Sequence, residues 1–200
     1  MRVGIFGGTF DPIHIGHLIM ADQAREGAEL DEVWFVPAQA PPHKLQGPVA
    51  SPEQRIAMVE KAIDHHPHFR VSGLEMERKG PSYTVDTVTT LTATYPEDQF
   101  FLIMGGDMVM NLPQWHRVEE IMEQVGVVGL GRPDTQLDWR ALPQKIQDRL
   151  ILIDQGVKID LSSTYIREQM ARGGSIRYLV PECVRLFIKE NQVYEPQPVD

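Results

Sequence analysis

Two histidines near the N-terminus are the first candidates for chemistry. His14 and His17 stand three residues apart at the start of a predicted helix, so both rings can point the same way. Residues 3–6 form a short apolar run that predicts a first β-strand, and Gly7 and Gly8 follow it directly. A strand, a glycine turn and a helix start often form a phosphate site, because backbone N–H groups and the positive helix end attract an anion. The segment therefore predicts an anion site that includes two imidazoles.

Other interpretations of this segment are possible. Its spacing is neither the dinucleotide-binding G-x-G-x-x-G pattern nor a Walker loop. The histidines could be zinc ligands, but no H-E-x-x-H arrangement accompanies them. Local packing of both rings is a further alternative. Asp11 followed by Pro12 is typical of a helix N-cap and first turn, so we expect the helix to begin there.

Length and charge limit the classes of protein that this chain can be. It has 200 residues, of which 42% are hydrophobic and 24% charged, and its formal net charge is −9. This size predicts a single domain over residues 1–200. The negative charge argues against general binding to nucleic acid, because the phosphate backbone would be repelled.

The location of the protein is predicted from what the sequence lacks. The single cysteine, Cys183, excludes an internal disulfide and is expected to pack within a late helix. We see no signal peptide, and no apolar run reaches the ~20 residues that span a bilayer. We therefore expect a cytoplasmic protein with no membrane partner. The sequence leaves a homo-oligomer open.

Strands and helices are predicted to alternate along the chain. Continuous apolar runs, the clearest at residues 100–104, are typical of strands buried on both faces of a sheet. The alternation predicts an α/β fold, with a doubly wound, mostly parallel sheet, helices on both faces and a small helical part at about residues 162–190. Such a fold gathers the loops after its strands at one rim, where ligands bind. Four unusual loops are expected there, at residues 7–17, 37–44, 105–107 and 131–133.

Some segments are harder to assign. Residues 82–95 are rich in Thr and Val, which favour strands, but Val85, Val88 and Leu91 follow a helical period, and we predict a helix. Residues 74–76 are expected to be a strand. Helices are also expected to begin near Trp115 and to span about residues 139–149.

Three more histidines lie together at residues 65, 66 and 68. They could hold a metal ion, since imidazole is a common ligand. Pro67 between them breaks any helical alignment, so a solvated helix end is the favoured interpretation.

Several runs together resemble one family. Residues 14–17 read His-Ile-Gly-His and residues 162–167 read Ser-Ser-Thr-Tyr-Ile-Arg, and these runs resemble the H-x-G-H and S-S-T-x-I-R signatures of the nucleotidyltransferase superfamily. Further runs are similar to its bacterial nicotinate-nucleotide adenylyltransferases in particular; they are residues 41–44, 82–87, 112–117 and 177–181. The chain departs from the family pattern at Ala40, Leu161 and Asp134, where Asn, Ile and Gly are expected.

The resemblance implies a Rossmann-like fold and a reaction. AMP would pass from ATP to nicotinate mononucleotide, giving deamido-NAD and pyrophosphate in NAD biosynthesis. The attacking 5′-phosphate is already largely a dianion at neutral pH, because its second pKa is near ~6. The protein then needs to supply positioning and positive charge rather than a nucleophile. Mg²⁺ would arrive with ATP, bound mainly by phosphate oxygens, with no dedicated protein metal site. Asp107 would bind a ribose hydroxyl, or instead water around this ion.

The resemblance also assigns residues to ATP. His14 and His17 would donate hydrogen bonds to the phosphates, and Lys44 and Arg167 would supply positive charge; a solvated surface charge is the alternative for both cations. For the hydroxyl residues at 162–164, helix capping alone is the alternative. The implied ATP-binding residues are Gly7, Gly8, Thr9, Phe10, Gly105, Asp107, Arg132, Ser162, Ser163 and Thr164.

Three residues are implied for nicotinate mononucleotide. Trp115 would stack on the pyridine ring, with an ordinary core tryptophan as the alternative. Backbone N–H groups near Tyr83 and Thr84 would hold the carboxylate at a helix N-terminus and so favour the acid over the amide. Another adenylyltransferase, acting on nicotinamide mononucleotide or a pantetheine phosphate, and a non-catalytic nucleotide-binding regulator remain as alternatives.

Overall fold

The structure, a computed structural model, describes residues 1–39, 47–76, 78, 83–131 and 138–194. Strands and helices alternate along this part of the chain, as predicted. The strands are β1 (Arg2–Gly8), β2 (Glu32–Pro37), β3 (Phe69–Val71), β4 (Gln99–Gly105), β5 (Gly126–Leu130) and β6 (Leu150–Ile153). The helices are α1 (Ile15–Gly27), α2 (Pro52–Ile63), α3 (Thr84–Thr94), α4 (Gly106–Asn111), α5 (Val118–Gln124), α6 (Gln144–Gln147), α7 (Ser163–Ala171) and α8 (Glu182–Glu190).

These strands form one sheet in the order β3-β2-β1-β4-β5-β6, and every neighbouring pair is parallel. The predicted doubly wound parallel sheet is confirmed. Ile5 at the centre of β1 stands level with Trp34 of β2 on one side and Leu102 of β4 on the other. The order reverses between β1 and β4, so a crevice opens at the C-terminal ends of these two strands.

Alternate side chains of the central strands point to opposite faces of the sheet, and each face packs into its own hydrophobic core. Val3 and Ile5 pack with buried residues of α3, α4 and α5. Phe6 packs on the opposite face with Phe35 and with buried residues of α1, α2, α7 and α8. Helices thus cover both faces, as predicted, and the strands between them are apolar on both sides.

The segment rich in Thr and Val is the helix α3. Val85, Val88 and Leu91 are buried against the sheet, so the apolar period outweighed the strand propensity of the individual residues. The strand predicted at residues 74–76 is wrong, because these residues form a turn after β3.

Two helices differ from their predicted bounds. The helix expected from Trp115 begins at Val118, because Arg117 before it has a left-handed φ of 55°. The helix expected at about residues 139–149 is divided into a 3₁₀ turn and α6. Pro143 stands between the two parts and has no backbone N–H with which to continue the first. The helix α4, directly after β4, was not predicted.

The start of α1 also differs from its prediction. His14, and not Asp11, is the N-cap of α1, so the predicted cap is wrong. Cys183 lies on the predicted late helix, α8, but it is exposed, and its Sγ contacts the backbone oxygen of Lys61 at 3.1 Å. Within the described residues, no helix has both the length and the apolar character to cross a bilayer.

Candidate active site

A cleft of about 380 Å³ opens at the C-terminal ends of β1 and β4, the place where the strand order reverses. It is bounded by the loop after β1, the first turns of α1, α3 and α4, and the start of α7. Most of the predicted site residues line it: Gly7, Thr9, Phe10, His14, His17, Thr84, Gly105, Asp107, Trp115, Ser162, Ser163 and Thr164. Segments that are far apart in the sequence therefore meet at one site.

The other predicted residues lie beside the cleft or outside the described part. Gly8 does not line the cleft, and a Cβ there would stand 2.9 Å from the Phe10 ring, so this glycine makes room for Phe10. Tyr83 is the N-cap residue of α3 and directly precedes Thr84, which lines the cleft. Lys44 and Arg132, and the helix cap predicted near Ser82, fall on residues that the structure does not describe.

His14 and His17 form a reciprocal pair at the start of α1. The Nδ1 atom of His14 accepts a hydrogen bond from the backbone N–H of His17 at 3.3 Å. The Nδ1 atom of His17 accepts one from the backbone N–H of His14 at 3.2 Å, and the rings stack with centroids 3.6 Å apart. Because both Nδ1 atoms accept, the proton of each neutral ring is on Nε2. Each histidine therefore keeps one N–H that can donate.

Both histidines are neutral at physiological pH. Burial lowers the pKa of His14 to about 4. Burial also lowers the pKa of His17 well below its ordinary value, and the neighbouring His14 lowers it further. The pair supplies hydrogen bonds to a ligand rather than positive charge. Of the expected backbone donors in this turn, the N–H of Ile15 is already bonded to the backbone oxygen of Leu179 at 3.0 Å.

The start of α7 is tied to the loop after β1. Ser162 is the N-cap of α7, and its Oγ accepts from the backbone N–H of Tyr165 at 3.2 Å. The Oγ of Ser163 donates to the backbone oxygen of Pro12 at 2.9 Å. Capping and tethering thus occupy both hydroxyls, and both residues also line the cleft.

Arg167 is held by Asp11 and does not line the cleft. Its Nη1 donates to the backbone oxygen of Asp11 at 2.6 Å and lies 3.7 Å from the Asp11 Oδ2. Its Nη2 contacts the Oγ1 of Thr164, a cleft residue, at 3.4 Å. A guanidinium has five N–H donors, so this placement leaves Arg167 able to donate further bonds beside the cleft.

Asp11 does not line the cleft, but it holds Arg167 and the loop after β1, a supporting role that the sequence did not reveal. Its side chain is buried and accepts from the backbone N–H groups of Val49 and Ala50 at 2.9 and 3.0 Å. The Tyr194 hydroxyl donates to it at 2.8 Å. Burial raises the pKa of Tyr194, and Asp11 raises it further, so the phenol remains protonated and is the donor. Asp11 therefore joins the loop after β1 to the lead-in of α2 and to the C-terminal part of the chain.

Arg55 is a second supporting residue that the sequence analysis missed, and it does not line the cleft either. It is fully buried, and its guanidinium donates to the backbone oxygens of Thr9, Ala38 and Gln39, at the roots of the loops that follow β1 and β2. Burial lowers its pKa, and nearby Asp11 opposes that shift. The burial of Arg55 could have been predicted, because Arg55 lies on the same helix face of α2 as the apolar Met58 and Val59.

The far end of the cleft carries Trp115 and Thr84. Trp115 follows a 3₁₀ turn and is only half-buried, so it forms part of the cleft wall instead of an enclosed core. Among the described residues, no side chain caps the N-terminus of α3, where Thr84 lies. Helix N-termini without caps are suitable for a carboxylate. Glu75, which the sequence analysis did not single out, also lines this end and accepts from the Thr87 Oγ1 at 2.7 Å.

A smaller recess of about 60 Å³ adjoins the cleft at His14. It shares Gly105 with the cleft and is also lined by residues 153–161, after β6.

The described residues include no cluster of metal ligands. In this part of the chain that the structure describes, no group of three or more His, Cys, Asp or Glu residues could hold an ion. His65, His66 and His68 form no such group either.

Comparisons with known proteins identify the family of this chain. Residues 5–169 match the cytidylyltransferase-like family. Nicotinate-nucleotide adenylyltransferase of Bacillus subtilis is 40% identical over 194 residues, which are 97% of this chain and 98% of that protein. A Geobacillus thermodenitrificans protein named "Probable nicotinate-nucleotide adenylyltransferase" is 45% identical over 193 residues, which are 96% of this chain and 86% of that protein.

A solved structure has the same fold. Plasmodium falciparum nicotinic acid mononucleotide adenylyltransferase, complexed with NaAD, has a TM-score of 0.78 and 18% sequence identity, and the match covers 96% of this chain and 97% of that one. The parallel sheet, the cleft and the matched family define a nucleotidyltransferase of the cytidylyltransferase-like class. Within that class, the chain belongs to the nicotinate-nucleotide adenylyltransferase family.

Proposed function

We propose that this protein transfers AMP from ATP to nicotinate mononucleotide, giving deamido-NAD and pyrophosphate. The observation that carries the proposal is the paired arrangement of His14 and His17. Both rings line the cleft, both are neutral, and both have Nδ1 occupied by the backbone. The two Nε2–H groups are thus fixed donors beside the glycine turn, at the position where a triphosphate would lie.

The reaction requires no protein nucleophile. An oxygen of the mononucleotide 5′-phosphate forms the new bond to the α-phosphorus of ATP. The bond from that phosphorus to the bridging oxygen breaks, and pyrophosphate leaves with the electron pair. The histidines donate to oxygens on which charge builds in the transition state, and one such donor contributes about 100-fold to 1,000-fold in rate.

Positive charge is the second requirement of this chemistry. Lys44, Arg132 and Arg167 are proposed to contact the phosphates, and Arg167 is the member that the structure places beside the cleft, next to Thr164. Mg²⁺ is proposed to enter as part of the MgATP substrate, held chiefly by phosphate oxygens. Asp107 in the first turn of α4 is proposed to bind a ribose hydroxyl or water of that ion.

The two substrates are proposed to bind at opposite ends of the cleft. We propose that the nucleoside part of ATP occupies the recess beyond His14 and that the pyridine ring stacks on Trp115. The start of α3 at Thr84, where no described side chain caps the helix, is proposed to receive the carboxylate. An amide has no charge to interact with a helix end, so the acid is preferred. We also propose that the enzyme acts in the cytoplasm as one domain, on free mononucleotides.

A substrate panel tests this proposal. Pyrophosphate release is followed with ATP, Mg²⁺ and one acceptor at a time: nicotinate mononucleotide, nicotinamide mononucleotide or pantetheine phosphate. We expect nicotinate mononucleotide to give the highest kcat/KM. A higher value for either other acceptor would reassign the substrate. ATP binding without pyrophosphate from any acceptor would instead favour a nucleotide-binding regulator.

A further inference from the structure

The last described residue of the chain reaches back to the loop after β1. The hydroxyl of Tyr194 donates to Asp11 Oδ1 at 2.8 Å, across 183 positions of sequence. Tyr194 also has a left-handed φ of 69°, and its side chain packs against the core that contains Phe6 and Ile166. The ring is therefore anchored by packing, while the hydroxyl makes one specific polar contact.

The partner of Tyr194, Asp11, in turn contacts Arg167, a cation of the proposed site. Asp11 holds Arg167 through its backbone oxygen at 2.6 Å, and its Oδ2 lies 3.7 Å from the same guanidinium. The carboxylate is otherwise oriented by two backbone N–H groups, those of Val49 and Ala50. Tyr194 supplies the only side-chain hydroxyl among the hydrogen bonds of the Asp11 carboxylate in the described part of the chain.

We propose that Tyr194 is a positioning residue for adenylyl transfer: its hydroxyl fixes Asp11, and Asp11 fixes the guanidinium of Arg167 beside the phosphates. The inference rests on the proposed function and adds to it a residue from the opposite end of the chain. Tyr194 touches neither substrate. It acts through the orientation of Arg167.

The physical reason is the burial of Asp11. A carboxylate that is 2% exposed has no water with which to replace a lost partner, so each hydrogen bond sets its orientation. Without the phenol, the Ala50 N–H is the one donor left to Oδ1 among the described residues, and the carboxylate is free to rotate toward the guanidinium. A closer Asp11–Arg167 pair would draw positive charge away from the phosphates. The enzyme would bind nicotinate mononucleotide as before and turn it over more slowly.

Tyr194→Phe tests this proposal, because it removes the hydroxyl and keeps the packed ring. We expect kcat to fall roughly tenfold, the scale of one hydrogen bond to a charged group, with the KM for nicotinate mononucleotide unchanged. Tyr178→Phe is the matched control. Tyr178 is 79% exposed, so the same deletion there is expected to leave the rate unchanged.

A double-mutant cycle separates positioning from general support of the fold. Tyr194→Phe is measured in the wild type and in an Arg167→Met background. If Tyr194 acts through Arg167, its tenfold effect shrinks to less than about twofold when the guanidinium is absent. The same factor in both backgrounds would overturn the proposal, and so would a wild-type rate in Tyr194→Phe.

The dissociation constant for ATP is also measured for the four proteins of the cycle, by calorimetry without an acceptor. This measurement tests the positioning role of Tyr194 separately from the proposed adenylyl transfer. If the wild type forms no pyrophosphate with any acceptor, the proposed function fails, and the ATP affinities then decide the positioning role. We expect Tyr194→Phe to weaken ATP binding in the wild type but not in Arg167→Met. Equal weakening in both, or no weakening in either, would overturn the positioning role.

Discussion

Lowering the pH from 7 to 5 should destabilise this protein through His14, the N-cap of α1. The pKa of His14 is about 4 in the folded chain, against an ordinary value of 6.5. Between those two values the unfolded chain binds the proton and the folded chain does not, so acid favours unfolding. The contribution to stability is complete above pH 6.5 and is lost as the pH falls toward 4. At about 1.4 kcal/mol per pH unit, roughly 2 kcal/mol is lost by pH 5.

The assay is urea unfolding at both pH values, with His14→Asn as the comparison. Asn is a good N-cap residue and does not titrate, so the variant should fold and lose about 2 kcal/mol less than the wild type over the same interval. His65→Asn is the control, because the His65 side chain is 98% exposed. It should behave like the wild type. Equal losses in wild type and His14→Asn would refute the assignment of a buried, neutral His14.

Three further predictions concern the cleft and the residues that support it. Arg55→Met leaves the carbonyls of Thr9 and Ala38 without their buried donor, so urea unfolding should show a loss of about 2–4 kcal/mol, and unchanged stability would contradict this. Trp115→Ala should raise the KM for nicotinate mononucleotide by roughly tenfold or more and change the KM for ATP much less; equal effects would argue against stacking. Ser163→Ala should lose about 1 kcal/mol of stability, because its bond to the Pro12 carbonyl is removed, and a loss of activity above a hundredfold would instead indicate direct phosphate contact.

Local patterns predicted most of the fold. The apolar run at residues 100–104 is visible in neighbouring residues alone, and the structure contains the predicted strand as β4. The helix α3 was predicted because its apolar period extends over three turns. The division of residues 139–149 was missed, since a proline within a polar helix pattern leaves its exact break point undetermined.

The supports of the site could not be predicted in the same way. The cleft brings His14 and Ser163 together as expected, because a doubly wound sheet places both loops at one rim. Asp11, Arg55 and Tyr194 were missed, although each is tied to the loop after β1. Their hydrogen-bond partners lie 16–183 positions away, and local residue spacing does not indicate such contacts. Asp11 in particular has the sequence context of a helix cap, but its side chain instead accepts hydrogen bonds from Val49, Ala50 and Tyr194.

Formation of deamido-NAD by the purified protein tests the central claim most directly. ATP, Mg²⁺ and nicotinate mononucleotide are incubated with the wild type and with His17→Ala, and the dinucleotide and pyrophosphate are quantified together. The wild type should form both in equal amounts, and a folded His17→Ala should form them about 100-fold to 1,000-fold more slowly. Absence of deamido-NAD from the folded wild type, or equal rates in the two proteins, would contradict the account.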